Sequence, residues 1–215
     1  MKFAGILFDL DGTLINTSPL IIASFQHTFQ TAYGRTLPEE AISRYFGEPL
    51  RTAMEVLGEP GDADHLIEIY RAFNLEHHDR LAASFEGVEQ ALQTLDKAGV
   101  AMGVVTSKTE KTAWRGLRLF HLDGYIRHVV GMESTQQHKP HPEPVEKGLS
   151  HLGLPASACL MVGDSPADIA SGHAAGLKTA AVSWTLVPWE NLTASKPDHV
   201  LQTINDLVFL VTGNR

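Results

Sequence analysis

Short apolar runs punctuate the chain at residues 3–8, 100–105, 126–130, 159–162 and 179–183. A strand with one wet face alternates apolar and polar residues, so a continuous run of this length predicts a strand buried on both faces. Between the runs the spacing turns helical, as over 88–98 and 112–120. Strand and helix in alternation predict a parallel α/β sheet. Such sheets gather functional groups at the carboxyl ends of their strands, and Asp9, Thr106 and Asp164 stand where apolar runs stop.

Residues 16–80 break that rhythm. They contain no convincing strand, only helical stretches over 19–33, 38–46, 50–57 and 62–79. Thr17-Ser18-Pro19 predicts a helix start, with the Thr17 hydroxyl available as a cap and proline in the first turn. The pattern therefore predicts an open α/β core from residues 1–15 and 82–215, with an inserted helical cap, 16–81, forming a second layer over the end of the first strand.

Composition narrows the classes. At 215 residues and 43% hydrophobic the chain can bury one substantial core. A formal net charge of −8 argues against a nucleic-acid or anionic-membrane binder, which relies on basic patches. An anionic substrate must then meet positive charge supplied locally. An acid at position 9 leaves no room for the apolar segment of a secretory signal, and no apolar stretch approaches the ~20 residues of a membrane helix. The single cysteine, Cys159, excludes an internal disulfide and suits a reducing cytoplasm. Oligomeric state is not legible.

The first strand ends in two acids, Asp9 and Asp11, one residue apart. Ionising both is costly unless something positive lies close by. Three further pieces share the problem: Val104-Val105-Thr106-Ser107, Lys139-Pro140 and Gly163-Asp164-Ser165-Pro166-Ala167-Asp168. Transfer of a phosphoryl group needs an in-line nucleophile, neutralisation of its oxygens and a proton for the leaving oxygen. Asp9 is the candidate nucleophile and Asp11 the candidate acid and base. Lys139 can neutralise the phosphoryl oxygens, the Thr106 hydroxyl and the amides around Leu10, Gly12 and Ser107 can donate to them, and Gly12 suits a sharp exit from the sheet.

Taken in order, the four pieces resemble the motifs of the haloacid dehalogenase superfamily of phosphatases and phosphomutases, with residues 16–80 matching its helical cap. The resemblance implies a Rossmann-like core, an aspartyl-phosphate intermediate and Mg²⁺ held by Asp9, Asp164 and the backbone carbonyl of Asp11, with Asp168 as a ligand or the holder of one. Hard oxygen donors of this kind suit Mg²⁺.

Within that superfamily, "LIIASFQHTFQ" (20–30), "YRAFNLEHHD" (70–79) and "KPHPEPV" (139–145) resemble the bacterial inorganic pyrophosphatases of the HPr-serine-phosphate pathway. This implies hydrolysis of pyrophosphate to two orthophosphates. The stretch between Ile15 and Leu81 has five arginines and no lysine, and arginine offers phosphate a planar bidentate fork. Arg51 and Arg71 are the candidates for the distal phosphate, with pairing to the cap's ten acids as the alternative. Asn16 stands where many phosphoglycolate phosphatases carry aspartate, which removes a negative charge near the cap hinge. Ser165-Pro166-Ala167 fits the broader phosphatase group. Phosphoglycolate or another small phosphomonoester is therefore the alternative substrate, and a phospho-aspartate receiver the alternative outside enzymes. The cap and the second acid argue against a receiver.

Other features predict packing. His77-His78 are adjacent and do not share a helix face. His138 and His141 lack a matched set of metal ligands, Cys159 lies in an apolar strand, and Trp184 and Trp189 are expected to cover the sheet edge.

Overall fold

The structure is a computed structural model and describes residues 2–213. The chain divides into two compact units, one formed by residues up to Ile15 and from Ser84 onward, the other by Asn16–Ala83.

In chain order the first unit opens with β1 (Gly5–Phe8), whose four residues are all buried. The short β2 (Ile15–Asn16) follows. The second unit then contributes α1 (Ser18–Tyr33), α2 (Glu39–Ser43), α3 (Leu50–Leu57) and α4 (Ala63–Leu81). Strand β3 (Ala83–Ser84) pairs with β2 in a separate two-stranded ribbon. Next come α5 (Val88–Lys97), β4 (Ala101–Val105), α6 (Glu110–Leu119), β5 (His128–Val130) and α7 (Glu143–Leu152). The chain closes with β6 (Cys159–Gly163), α8 (Pro166–Ala174), β7 (Lys178–Val182), α9 (Trp189–Ala194), β8 (His199–Leu201) and α10 (Ile204–Thr212).

Six strands form one sheet in the order β5-β4-β1-β6-β7-β8, with every neighbouring pair parallel. The five expected strands are present within one or two residues of their expected limits, with 126–130 contracting to His128–Val130. The sixth, β8, was not anticipated. Three residues at a sheet edge, with only Leu201 fully buried, leave no continuous apolar run. Leu7, Val105, Val130, Val145, Cys159, Met161 and Leu177 form one buried cluster, so α7 packs on the sheet through Val145. Burial pushes the Cys159 thiol up to about 11, consistent with a packing role.

The second unit has its own core of Phe25, Phe29, Ile42, Met54, Leu66, Ile67 and Tyr70. The Phe25 and Tyr70 rings meet edge to face at 5.2 Å between centroids. Its helices match expectation with two differences: 38–46 shortens to α2, and 62–79 runs on to Leu81. The Thr17 hydroxyl does not cap α1, because its oxygen is buried without a hydrogen-bond partner. Asn16 takes that role instead, its Oδ1 accepting from the Ser18 amide at 3.2 Å. Among the described residues no helix is long and apolar enough to cross a membrane.

Candidate active site

The convergence of the separated motifs follows from the register. Phe8 is paired with Val104 on one side and Val162 on the other, so three parallel strands end level. Asp9 follows Phe8, Thr106 follows Val105 and Asp164 follows Gly163. Each exit is tied to the sheet: the Asp9 amide donates to Val162 O at 2.8 Å and the Thr106 amide to Val130 O at 3.0 Å.

Lys139 enters from the loop before α7. Glu143, in the first turn of that helix, accepts the amides of Gln136 (3.0 Å) and Gln137 (2.8 Å). These amides hold its carboxyl below the usual range and fix the start of the loop. The Lys139–Pro140 peptide is cis. The Lys139 ammonium donates to Asp9 Oδ1 (2.7 Å), Asp168 Oδ1 (2.6 Å) and the Val105 carbonyl (3.0 Å). Burial alone would favour neutral lysine, but Asp168 and Asp9 outweigh it and its pKa is raised. Burial likewise pushes Asp9 up to about 7 against the pull of Lys139, with Asp168 and Asp11 adding repulsion.

Asp168 belongs to a capping box at the start of α8: its Oδ2 accepts from the Ser165 amide (3.0 Å) and hydroxyl (2.7 Å). Asp164 Oδ2 accepts from the Thr185 hydroxyl at 2.9 Å. Burial raises the Asp164 pKa, and Asp9 and Asp168 raise it further. Carboxylate oxygens of Asp9, Asp164 and Asp168 lie within 4.8 Å of one another. Three carboxyl groups crowd around one ammonium, and hard oxygens at this spacing fit a divalent cation such as Mg²⁺. Both Asp168 oxygens are already engaged by Lys139 and Ser165, so Asp9 and Asp164 are better placed as ligands and Asp168 as the group that orients Lys139.

Asp11 projects from the turn that follows Asp9. The Gly12 amide closes this turn onto Ile15 O at 2.8 Å, so that amide is committed within the turn. Gly12 has φ +82°, and a Cβ there would lie 2.1 Å from Asp164 Oδ2. The Asp11 carboxylate is not left beside Asp9 uncompensated: Lys108 Nζ lies 2.6 Å from its Oδ1. The opening electrostatic problem thus has two lysines in its answer, one for each acid.

The sequence pattern that defines haloacid dehalogenase-like hydrolases matches residues 6–182. The chain belongs to this family. Relatives align over nearly the full length. A protein of Anoxybacillus flavithermus named pyrophosphatase PpaX is 43% identical over 211 residues, 98% of each chain. One of Bacillus cereus with the same name is 44% identical over 208 residues, 97% of this chain and 96% of its own. Among solved structures, a haloacid dehalogenase-like family hydrolase of Streptococcus pneumoniae superposes with a TM-score of 0.89 at 20% identity, covering 97% of this chain and 98% of its own. A haloacid dehalogenase-superfamily hydrolase of Geobacter sulfurreducens gives 0.76 at 26% identity, covering 97% and 96%. As a member of this family the chain is a phosphohydrolase.

The haloacid dehalogenase fold brings Asp9, Asp11, Thr106, Lys139, Asp164 and Asp168 to one end of the sheet. Ser107 is exposed and Leu10 buried, which leaves only the backbone of Leu10 available to a ligand. In the helical unit Arg51 is bound by Asp64 and, at 3.7 Å, by Glu55, while Arg71 is exposed on α4. Lys108 and Thr185 are not marked by the sequence reading, and Trp184 is expected there only to cover the sheet edge. Lys108 lies two positions past Thr106, and a second lysine so close to a strand end in an acidic chain was its signal. Thr185 and Trp184 follow β7 with no motif to mark them. The Trp184 indole donates to Thr13 O at 3.2 Å, so this tryptophan anchors the turn bearing Asp11 rather than only covering the sheet. Trp189, the first residue of α9, is 42% exposed.

Proposed function

We propose that the chain hydrolyses inorganic pyrophosphate to two orthophosphates, in the cytoplasm and with Mg²⁺, through an aspartyl phosphate on Asp9. For the chemistry, the supporting observation is the Lys139 ammonium bound at once to Asp9 and Asp168. It keeps a buried carboxylate compensated at the end of the central strand and fixes its direction. For the substrate, support comes from full-length relatives named pyrophosphatase.

An Asp9 oxygen attacks phosphorus, the bond to the leaving phosphate breaks, and its electron pair passes to the leaving oxygen, which takes the Asp11 proton. Asp11, now ionised, accepts a proton from water as that water attacks the aspartyl phosphate. Orthophosphate leaves and Asp9 is regenerated. Lys139 through its charge, and the Thr106 hydroxyl and the amides of Leu10, Asp11 and Ser107 through hydrogen bonds, stabilise the phosphoryl oxygens. Mg²⁺ held by Asp9, Asp164 and the Asp11 carbonyl would supply further neutralisation of those oxygens. Residues 16–81 serve as the cap that excludes water and selects the substrate, with Arg51 and Arg71 as its contacts to the distal phosphate. Arg51 must first exchange its acidic partners for substrate.

Phosphate release from pyrophosphate, phosphoglycolate, sugar phosphates and nucleotides tests this directly. The highest kcat/KM is expected for pyrophosphate, with a phosphorylated peptide containing Asp9 after acid quenching. Preference for phosphoglycolate would overturn the substrate, and turnover surviving in Asp9→Asn would overturn the nucleophile.

A further inference from the structure

Lys139 has no proton to spare: its three N–H bonds are directed at Asp9, Asp168 and the Val105 carbonyl. Lys108 differs. Its ammonium donates to Asp11 at 2.6 Å, and the side chain is 20% exposed. An ammonium carries three donors, so two remain for a ligand. The backbone of Lys108 is fixed at both ends, its amide donating to Thr106 Oγ1 at 3.2 Å and its carbonyl accepting from the Met132 amide at 2.8 Å. The cation is therefore held at the site by the same strand end that positions Thr106.

We propose that Lys108 is a specificity-determining residue that favours substrates whose leaving group carries negative charge, its ammonium bridging Asp11 and that charge. The inference rests on the reading of Asp11 as the proton donor. A donor must stand about 2.7 Å from the leaving oxygen. An ammonium on one oxygen of that carboxyl then lies within about 7 Å of a leaving oxygen held by the other. An anionic group attached there, such as the second phosphate of pyrophosphate or the carboxylate of phosphoglycolate, falls within its reach. A leaving group without charge gains nothing from the contact.

The test compares kcat/KM for pyrophosphate, phosphoglycolate and glycerol 3-phosphate in wild type, Lys108→Met, Lys108→Gln and Lys108→Arg. Both neutral variants should lose about 10- to 100-fold more on the two anionic leaving groups than on glycerol 3-phosphate, the scale of one charged hydrogen bond. Lys108→Arg should recover part of that difference. Inhibition constants for methylenediphosphonate against methylphosphonate read the same contrast without turnover. An equal loss throughout, with no change in the inhibitor ratio, makes Lys108 a holder of Asp11 only and overturns the proposal. Asp11→Asn separates the two readings: a loss shared by all three substrates supports the acid, whereas activity retained on all three removes the acid and leaves the inhibitor ratio to decide Lys108. A preference for phosphoglycolate over pyrophosphate changes the substrate and leaves the charge contrast intact.

Discussion

The Thr185 hydroxyl donates to Asp164 Oδ2 at 2.9 Å and itself accepts the Val187 amide at 2.9 Å, so the loop after β7 fixes the direction of the half-buried carboxylate that follows β6. Groups that orient metal ligands typically alter affinity about 10- to 100-fold when removed. Thr185→Val should raise the calorimetric dissociation constant for Mg²⁺ about 10-fold, and Thr185→Ser should restore most of it. Unchanged Mg²⁺ affinity in the valine variant would show that Asp164 needs no such support.

Asp9 makes stability depend on pH in an unusual sense. Its pKa is raised by burial to about 7, above the ~3.9 of an unfolded aspartate. Between these values the unfolded chain binds fewer protons than the folded one, so this group's contribution falls as pH rises. In metal-free buffer Asp9→Asn should be more stable than wild type at pH 8, by on the order of 2–4 kcal/mol, with the gain shrinking toward pH 4. Saturating Mg²⁺ should stabilise wild type more than the variant. Urea denaturation at three pH values measures this, and a gain independent of pH would rule it out. Activity should vanish in the same variant.

Legibility in the sequence followed burial and local pattern. The strands buried on both faces announced themselves as short apolar runs, and their parallel order brought Asp9, Thr106 and Asp164 level. The edge strand β8 lacked that signal because Val200 remains 42% exposed. Lys139 was legible through its place in an ordered set of motifs. Thr185 and Trp184 were not, since their partners, Asp164 and Thr13, lie 21 and 171 positions away. Thr17 offered a hydroxyl at the right spacing to cap α1, yet Asn16 supplies the oxygen; a cap depends on backbone angles that composition alone does not fix.

Gly12 and Gly99 share a left-handed backbone, φ +82° and +80°, but differ in space: a Cβ at Gly12 would lie 2.1 Å from Asp164 Oδ2, whereas at Gly99 nothing lies within 4 Å. Alanine at either position incurs about 1–2 kcal/mol of backbone strain. Only Gly12→Ala must also displace the Asp164 carboxylate of the candidate metal site. We expect kcat/KM to fall at least about 100-fold in Gly12→Ala, with weaker Mg²⁺ binding, while Gly99→Ala loses stability and keeps its turnover. Matching kinetics for the two variants would remove the close approach as the reason for glycine at position 12.

Asp198 secures the edge strand from the other end. It immediately precedes β8, and its Oδ1 accepts from Lys178 Nζ at 2.6 Å while Oδ2 meets His173 Nε2 and the Thr179 amide, each at 3.0 Å. Burial opposes its ionisation, but the hydrogen bonds from Lys178, His173 and Thr179 more than offset this, and its pKa lies below the usual range. A carboxyl depressed in the folded state contributes stability above the unfolded value of ~3.9 and loses it as pH falls below. With its side chain 21% exposed and Lys178 64% exposed, solvent screens much of the ion pair, so Asp198→Asn should cost about 1–2 kcal/mol at pH 7. The difference from wild type should narrow below pH ~4, as the carboxylate of the unfolded chain takes up its proton while the folded one stays ionised. Denaturant midpoints at pH 7 and pH 3 provide the comparison. A gap that persists undiminished at pH 3 would assign the loss to packing of β8 rather than to the charge of Asp198.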